Sequence, residues 1–398
     1  MEIMKKRFRI ISTLILMSIA CQSYAQYFYM MIIPYTPPRN MLYDSKPLGS
    51  NYIPWSKYGL NTTLLHGIRQ NSDTQDLYIS YYSRPELTEK KIGNTKYRYY
   101  TNASYIYALD SWINKESNTP NIKEICQINF DLREMCSRKA LIDYNTNGNM
   151  NIEDNYATYD NEFTRLSNEF EEAISIDNDT DKLNAVSDSI KKKIDSLTFD
   201  PEAAVANLED NSGWTWGFGI ESHMPFSEYV SMGYGFGFNG GCIQKRNLLG
   251  FDINIEFFEK CQENIVTSKG TIYEGENMMS GAMCLFYGYR ATNNKSVNLT
   301  PFVNTGARFY MGGKPNYSRY WNDTNEKAGF TLGAGVMIDI PLSRKIDIRI
   351  YDKDEISRST GFFRIKPYFS MTNFSGDMGW TPSFNIAIEY SFTSLKLK

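Results

Sequence analysis

The C-terminal half of the chain alternates between apolar residues and small or polar residues with a period of two. Eight stretches carry this pattern, at 214–220, 232–238, 251–257, 283–289, 297–309, 330–340, 363–371 and 384–392. Successive side chains of a β-strand point to opposite faces, so each stretch predicts a strand with one apolar face. Eight such strands in succession predict an antiparallel barrel or a sandwich.

The composition of the two faces favours a membrane barrel over a soluble one. A soluble barrel points its apolar face inward and carries Lys, Glu, Thr and Gln on the outside. Here the second face is dominated by Gly, Ser, Asn and Thr, and the apolar face carries no charge in any of the eight stretches. A charge on a lipid-facing surface costs roughly 2–4 kcal/mol at mid-depth, and closure removes the strand edges that lipid would leave unpaired. We therefore expect an eight-stranded transmembrane barrel.

Charged residues recur on the face that would line the barrel interior. They are Glu221, Asp252, Glu256, Asp339, Glu389, Arg290, Arg308, Arg364 and Lys366. The two signs are nearly balanced, so ion pairing across a narrow interior is expected to close the lumen. The alternative is that some of these side chains lie beyond the membrane, in water, without partners.

The same residues resemble the small eight-stranded outer-membrane barrel family, which contains the OmpA and OmpX barrels. The resemblance covers residues 213–392 and rests on the Gly-aromatic alternation and the terminal strand Phe384–Phe392. Tyr390-Ser391-Phe392 is similar to the aromatic end signal read by the barrel-assembly machinery, although six residues follow it here. The resemblance implies contact with outer-membrane lipid, both termini in the periplasm, and outward loops near 223–229, 259–277, 311–326 and 373–382.

The N-terminus has the pattern of a secretory signal peptide. Lys5, Lys6, Arg7 and Arg9 precede an apolar stretch at 10–20, and small residues end at Ala25, where cleavage is expected. Two alternatives are a lipoprotein junction at Cys21 and an uncleaved anchor. Residues 1–25 are therefore assigned to the signal peptide and residues 26–58, rich in Tyr and Pro, to an extended arm.

Residues 59–210 have a different period, with apolar residues three and four apart. Examples are Phe163, Leu166 and Phe170, which are separated by polar and charged residues. This spacing predicts amphipathic helices, and Asp200-Pro201-Glu202 has the residues of a helix start. The predicted fold class is α+β, with a helical region at 59–210, periplasmic by the resemblance, followed by an antiparallel barrel at 211–398.

One segment has the residue pattern of a calcium loop. The twelve residues 143–154 place oxygen-bearing side chains at EF-hand positions, with Gly148 at position six. The expected ligands are Asp143, Asn145, Asn147, Asn149, Asn151 and Asp154. Position twelve is Asp rather than Glu and several ligands are neutral, so only weak calcium binding is expected. The alternative is an Asn-rich linker between two helices.

The remaining residues indicate no catalytic or cofactor site. The chain has two His residues, and His223, which follows the first predicted strand, is expected in a loop. A net charge of −3 argues against a nucleic-acid partner. We expect a non-enzymatic envelope protein with a structural or interaction role, and a periplasmic protein is one class of partner that fits it. The alternative is a small channel or an accessory of a transport or secretion machine.

Overall fold

The computed structural model describes residues 52–60, 77–113, 120–148, 151–176, 180–292, 296–312, 325–350, 355–376 and 378–398. Residues Ile53–Lys398 form one compact unit, which contains every element discussed below except the first residue of β1. The predicted signal peptide at 1–25, including Cys21, and residues 26–51 of the predicted arm lie outside the described residues.

The described part of the chain begins with strands rather than with helices. These strands are β1 (Tyr52–Pro54), β2 (Leu77–Tyr78), β3 (Tyr81–Ile92), β4 (Thr95–Tyr107) and β5 (Trp112–Ile113). The prediction that 59–210 is helical is therefore wrong for 77–113. Strand β4 is rich in Tyr and Thr, which favour strands, and Gly93 provides a positive φ of 57° in the two-residue turn between β3 and β4.

The prediction of helices is confirmed for four segments of the remaining region. The helices are α1 (Pro120–Asn147), α2 (Ile152–Ile176), α3 (Thr180–Ser196) and α4 (Pro201–Val205). Helix α1 lies between the β3–β4 hairpin and helices α2 and α3, so its apolar side chains and several polar ones are buried. Asp200 caps α4, because its side chain accepts a hydrogen bond of 2.9 Å from the backbone N–H of Glu202. None of the described helices is long and apolar enough to cross a membrane.

The C-terminal part is a closed antiparallel barrel of eight strands, as predicted. Its strands are β6 (Asp210–Pro225), β7 (Gly233–Gln244), β8 (Asn247–Lys260), β11 (Asn277–Tyr289), β12 (Asn298–Gly312), β13 (Asn325–Ile348), β14 (Ile356–Phe374) and β15 (Trp380–Leu397). Each strand pairs with its neighbours, and β15 pairs with β6 from Ser383↔Pro225 to Leu397↔Asp210. Every predicted stretch coincides with one of these strands, except that Met232 and Val297 each lie one residue before the strand begins.

The two ends of the barrel differ. The distal end carries the connections at 226–232, 261–276, 313–324 and 375–379, which include the two longest of the barrel, and the two-stranded sheet of β9 (Ile265–Val266) and β10 (Thr271–Ile272) belongs to one of them. Buried side chains, among them Val230, Tyr310 and Phe374, form an apolar cluster that covers this end of the lumen. The N-terminal strands β1 to β5 and the helices, together called the helical layer here, lie at the opposite, proximal end, because β4 pairs with the end of β13.

Strand β13 belongs to both parts of the molecule. Within the barrel it pairs with β12 and β14, and beyond the barrel it pairs in parallel with β4, from Arg344↔Thr95 to Asp347↔Arg98. A β-bulge at Leu342 shifts the register against β14 between Pro341 and Ser343. The bulge turns Ile346 and Ile348 toward the core beneath the barrel.

A glycine on the inner face of β12 allows two strands to approach closely. A Cβ at Gly306 would contact the carbonyl oxygen of Met283 and lie 2.6 Å from the Cα of Cys284. We expect Gly306→Val to destabilise the barrel by about 3 kcal/mol through overpacking. Electrophoresis without boiling should show a smaller fraction of compact, folded protein.

The control for this prediction is Ala307→Val, at the next position on the outward face, where the side chain is exposed. This variant should fold like the wild type. Equal folded fractions for the two variants would contradict the proposed tight approach at Gly306.

Candidate functional site: membrane belt and closed lumen

The outward face of every barrel strand is apolar and exposed. Large exposed side chains include Phe218, Ile220, Tyr234, Phe236, Leu249, Ile255, Leu285, Tyr287, Val303, Phe330, Leu332, Phe363, Phe369, Ile388 and Tyr390. Monomeric soluble proteins rarely expose contiguous apolar patches larger than a few hundred Å². This continuous surface, called the belt here, together with a polar interior, is the architecture of small outer-membrane barrel proteins.

Aromatic residues with a polar atom lie toward both ends of the belt. Tyr234 and Trp380 begin strands at the distal end, whereas Tyr287 and Tyr289 end a strand at the proximal end. Tyr and Trp are enriched at both boundaries between membrane and water, because the ring is apolar and the O–H or N–H group stays hydrated. The distribution places the two membrane surfaces near the two ends of the barrel.

The lumen contains the ion pairs predicted from the sequence. Arg364 donates to both carboxylate oxygens of Asp339, at 2.6 and 3.0 Å, and Nζ of Lys366 lies 2.8 Å from Asp252 and 3.0 Å from Glu389. Strands β14 and β8 face each other across the barrel, so the contact between Lys366 and Asp252 spans its diameter. The prediction of a paired interior is confirmed for these residues.

Further contacts cross the lumen on either side of this pair. Toward the distal end, Arg308 donates to Glu256 at 3.3 Å, and the hydroxyl of Tyr368 on β14 donates to Glu221 on β6 at 2.5 Å. Near the proximal end, Arg290 and Arg358 both bind Asp210, with Nη to Oδ distances of 2.8 and 2.6 Å. These side chains fill the interior from one end to the other.

Sequence reasoning missed Glu259, which is completely buried in the lumen. Strict alternation from Asp252 and Glu256 places Glu259 on the outward face. The register between β8 and β11 shifts between Met278↔Glu259 and Ser280↔Glu256, so β8 has one extra residue there. The bulge reverses the face, and a pattern of period two contains no signal for it.

His223 also lies in the barrel rather than in a loop, so that expectation is wrong. Strand β6 continues to Pro225 and holds the imidazole in the lumen, where Nδ1 lies 2.8 Å from Asn385 and Nε2 lies 3.2 Å from the Tyr310 hydroxyl. Both ring nitrogens therefore have polar partners from other strands. The second histidine, His66, lies outside the described residues.

The residues of the predicted calcium loop do not form a twelve-residue loop in this structure. Asp143, Asn145 and Asn147 belong to the last turns of α1, whereas Asn149 lies outside the described residues. Asn145 is buried and its side-chain amide donates to the backbone oxygen of Tyr100 at 2.8 Å. Calcium binding by all six residues would require this end of α1 to unwind, and the calcium site stays a prediction.

The other end of the segment starts the next helix. The side-chain oxygen of Asn151 accepts from the backbone N–H of Asp154 at 2.8 Å, and the Asn151 side-chain amide donates to the Asp154 carboxylate at 2.8 Å. This is helix capping of α2. Gly148, with a φ of 58°, ends α1 in the left-handed conformation that favours glycine there.

A contact with the barrel strand β13 holds the C-terminus of α1. Arg349, which directly follows β13, donates to the backbone oxygens of Tyr144 and Asn145 at 3.1 and 2.6 Å, and the Tyr144 hydroxyl donates back to the Arg349 oxygen at 2.8 Å. The guanidinium satisfies carbonyls that a helix end leaves without partners, and its charge complements the helix dipole. Arg98 adds a bidentate pair with Asp347, at 2.7 Å for both bonds.

Comparisons with known proteins find similarity only among solved structures, those of outer-membrane proteins. No protein-family model and no curated protein matches the chain. Among solved structures, the chain is similar to Ail, the attachment invasion locus protein of Yersinia pestis, with a TM-score of 0.25, 10% identity, and coverage of 46% of this chain and 99% of that chain. It is also similar to Neisserial surface protein A, with a TM-score of 0.29, 6% identity, and coverage of 47% of this chain and 99% of that chain. A major outer membrane protein from Thermus thermophilus matches with a TM-score of 0.25, 11% identity, and coverage of 46% of this chain and 98% of that chain. Identities this low transfer no function to the chain.

Removal of the central lysine should destabilise the barrel strongly. In Lys366→Gln, Asp252 and Glu389 lose the cation between them, and breaking a buried ion pair in this way costs roughly 3–5 kcal/mol. Urea titration of the folded protein in detergent, followed by tryptophan fluorescence, measures the free energy of unfolding. Lys396→Gln is the matched control, because its pair with Glu355 is exposed and should contribute less than about 1 kcal/mol. Equal effects would contradict a structural role for the lumen network.

The contact between Arg349 and α1 should control how firmly the helical layer is held. Arg349→Ala removes both bonds to the helix carbonyls, and hydrogen bonds from a charged group contribute roughly 1.5–3 kcal/mol each. Limited proteolysis should cleave α1 to α3 faster while the barrel stays intact. Arg165→Ala, which removes an exposed pair with Glu169, should leave the cleavage rate unchanged. An unchanged rate in Arg349→Ala would show that other contacts hold the layer.

Proposed function

We propose that the chain is a non-enzymatic outer-membrane protein with a structural or interaction role, whose helical layer lies in the periplasm. The observation that carries this proposal is the pairing of an uninterrupted apolar belt with a lumen filled by ion pairs. The belt fits a protein embedded in lipid, and the filled lumen fits a barrel that serves as an anchor. The surfaces left for recognition are then the distal loops and the helical layer.

The orientation follows from the two ends of the barrel. In outer-membrane barrels the short turns face the periplasm and the longer loops face the exterior. The helical layer lies at the end opposite the two longest loops, 261–276 and 313–324, where it is joined to β13 by strand pairing and by the Arg349 contact. This position suits a layer that presents a surface to a periplasmic protein partner.

The polar residues of the lumen support a role other than catalysis. The charged groups bind one another across the barrel, and His223 is held between Asn385 and Tyr310. A catalytic base needs access to substrate, whereas His223 is 1% exposed. The apolar cluster at the distal end further separates these groups from the loops.

The channel alternative makes a different electrical prediction. An open pore through the barrel would have to pass the contacts of Lys366 with Asp252 and Glu389. We expect no steady conductance above background when the purified protein is inserted into a planar lipid bilayer. Reproducible single-channel current steps, from protein whose gel migration changes on boiling as expected for a folded barrel, would favour the channel function instead.

Membrane insertion and orientation can both be tested in cells that produce the protein. The protein should fractionate with outer membranes and shift on a gel when it is boiled. A membrane-impermeant maleimide should label Lys269→Cys, an exposed position in a distal loop, on intact cells. Lys192→Cys, exposed on α3, should be labelled only after the outer membrane is permeabilised. Wild-type protein is the control for labelling of the native cysteines. Release of the protein from the membrane fraction without detergent, or the reverse labelling pattern, would overturn the proposal.

A further inference from the structure

The proximal rim of the barrel has a gap in its β-ladder where β13 leaves the barrel. Strand β12 pairs with β13 only as far as Asn298↔Asp339, and β4 begins to pair with the same edge at Arg344. Among the described residues, no strand pairs with positions 340–343 on this side. A crevice of about 430 Å³ opens here, between the turn at Gly93-Asn94, Glu202 and residues 341–344.

Arg344 is a half-buried cation in this crevice, and its side chain makes no hydrogen bond or ion pair with any residue that the structure describes. The neighbouring arginines differ, because Arg98 binds Asp347 and Arg358 binds Asp210. Burial lowers the pKa of the Arg344 guanidinium, so this cation is placed where the loss of water disfavours its charge. Tyr97 and Asp210 act electrostatically on the guanidinium, but neither makes an ion pair or hydrogen bond with it, so an anion in the crevice would be its first direct partner.

The crevice lies where the belt ends. Ile340 and Leu342 are the last large apolar side chains on β13 before Arg344, and they are 38% and 58% exposed. Leu342 is the bulged residue and also lines the crevice. A lipid whose acyl chains lie along these side chains therefore has its headgroup at the level of Arg344.

The crevice also contains an anionic group. Glu202, in the first turn of α4, is exposed and lines the side of the crevice formed by the helical layer. No contact within 4.0 Å joins its carboxylate to Arg344, so the two charges remain available to a ligand that carries both signs. A phosphate followed by an ammonium group has this arrangement.

We propose that this crevice binds the headgroup of an aminophospholipid, of the phosphatidylethanolamine class, from the adjacent membrane leaflet. Arg344 donates to the phosphate, Glu202 accepts from the ammonium group, and Leu342 contacts the start of the acyl chains. Charge-assisted bonds from Arg to phosphate are strong and directional. The inference rests on the proposed membrane insertion, and it gives the rim of the barrel a specific lipid ligand.

Native mass spectrometry of the full chain in detergent, with added phosphatidylethanolamine or phosphatidylglycerol, tests the proposal. The wild type should retain phosphatidylethanolamine in preference. Arg344→Gln should weaken the binding of both lipids about tenfold, as expected for loss of one charge-assisted contact. Glu202→Gln should remove the preference for phosphatidylethanolamine while phosphatidylglycerol still binds. Lys192→Gln, which removes an exposed cation far along α3, is the matched control and should behave like the wild type.

Other outcomes would overturn the assignment. Unchanged lipid retention in Arg344→Gln would show that the crevice is not the lipid site, and complete displacement by inorganic phosphate would indicate a general anion site. The gel shift on boiling is measured for every variant, so a failure of membrane-barrel folding is recognised separately from a failure of lipid binding. If Arg344→Gln does not fold, Glu202→Gln and Arg344→Lys carry the test, since the lysine variant should keep most of the binding.

Discussion

The structure depends on the closure of the barrel between β15 and β6. Lipid offers no hydrogen-bond partner to an exposed backbone N–H or C=O group, so a sheet in the membrane is stable only when it has no free edge. Closure at eight strands leaves a narrow interior, and the small space there limits which residues can occupy the inner face. Glycine appears where strands and side chains approach closely, as at Gly306, and the charges that do enter, such as Lys366, must pair because water cannot reach them.

The second constraint is the length of β13, which continues beyond the membrane. The bulge at Leu342 allows β13 to contribute side chains both to the barrel and to the core beneath it, because the bulge changes which side chains point inward. The same strand then provides Asp347 and is followed by Arg349, which hold the hairpin and the end of α1. The helical layer is therefore fixed to the barrel by continuous backbone pairing rather than by a flexible linker.

Much of the barrel could be predicted from the sequence, because the period of two and the location of charges follow from the exclusion of charge from lipid. For the same reason, the sequence predicts that interior charges such as Lys366 and Asp252 are paired. The interior location of Glu259 could not be predicted, since a single bulge reverses the face of every residue after it. The hairpin at 81–107 was missed because its Tyr-rich strands lie in a region dominated by helical spacing. Contacts such as Arg349 with α1 join residues about 200 positions apart, and local patterns carry no information about them.

The parallel pairing of β4 with β13 has a consequence for the order of assembly. Arg98 and its partner Asp347 are separated by 249 positions in the chain. Translation produces the hairpin and the helices long before β13. One edge of the layer and the C-terminus of α1 therefore lack their partners until the barrel is nearly complete. The helical layer can therefore be completed only after the barrel has been built as far as β13.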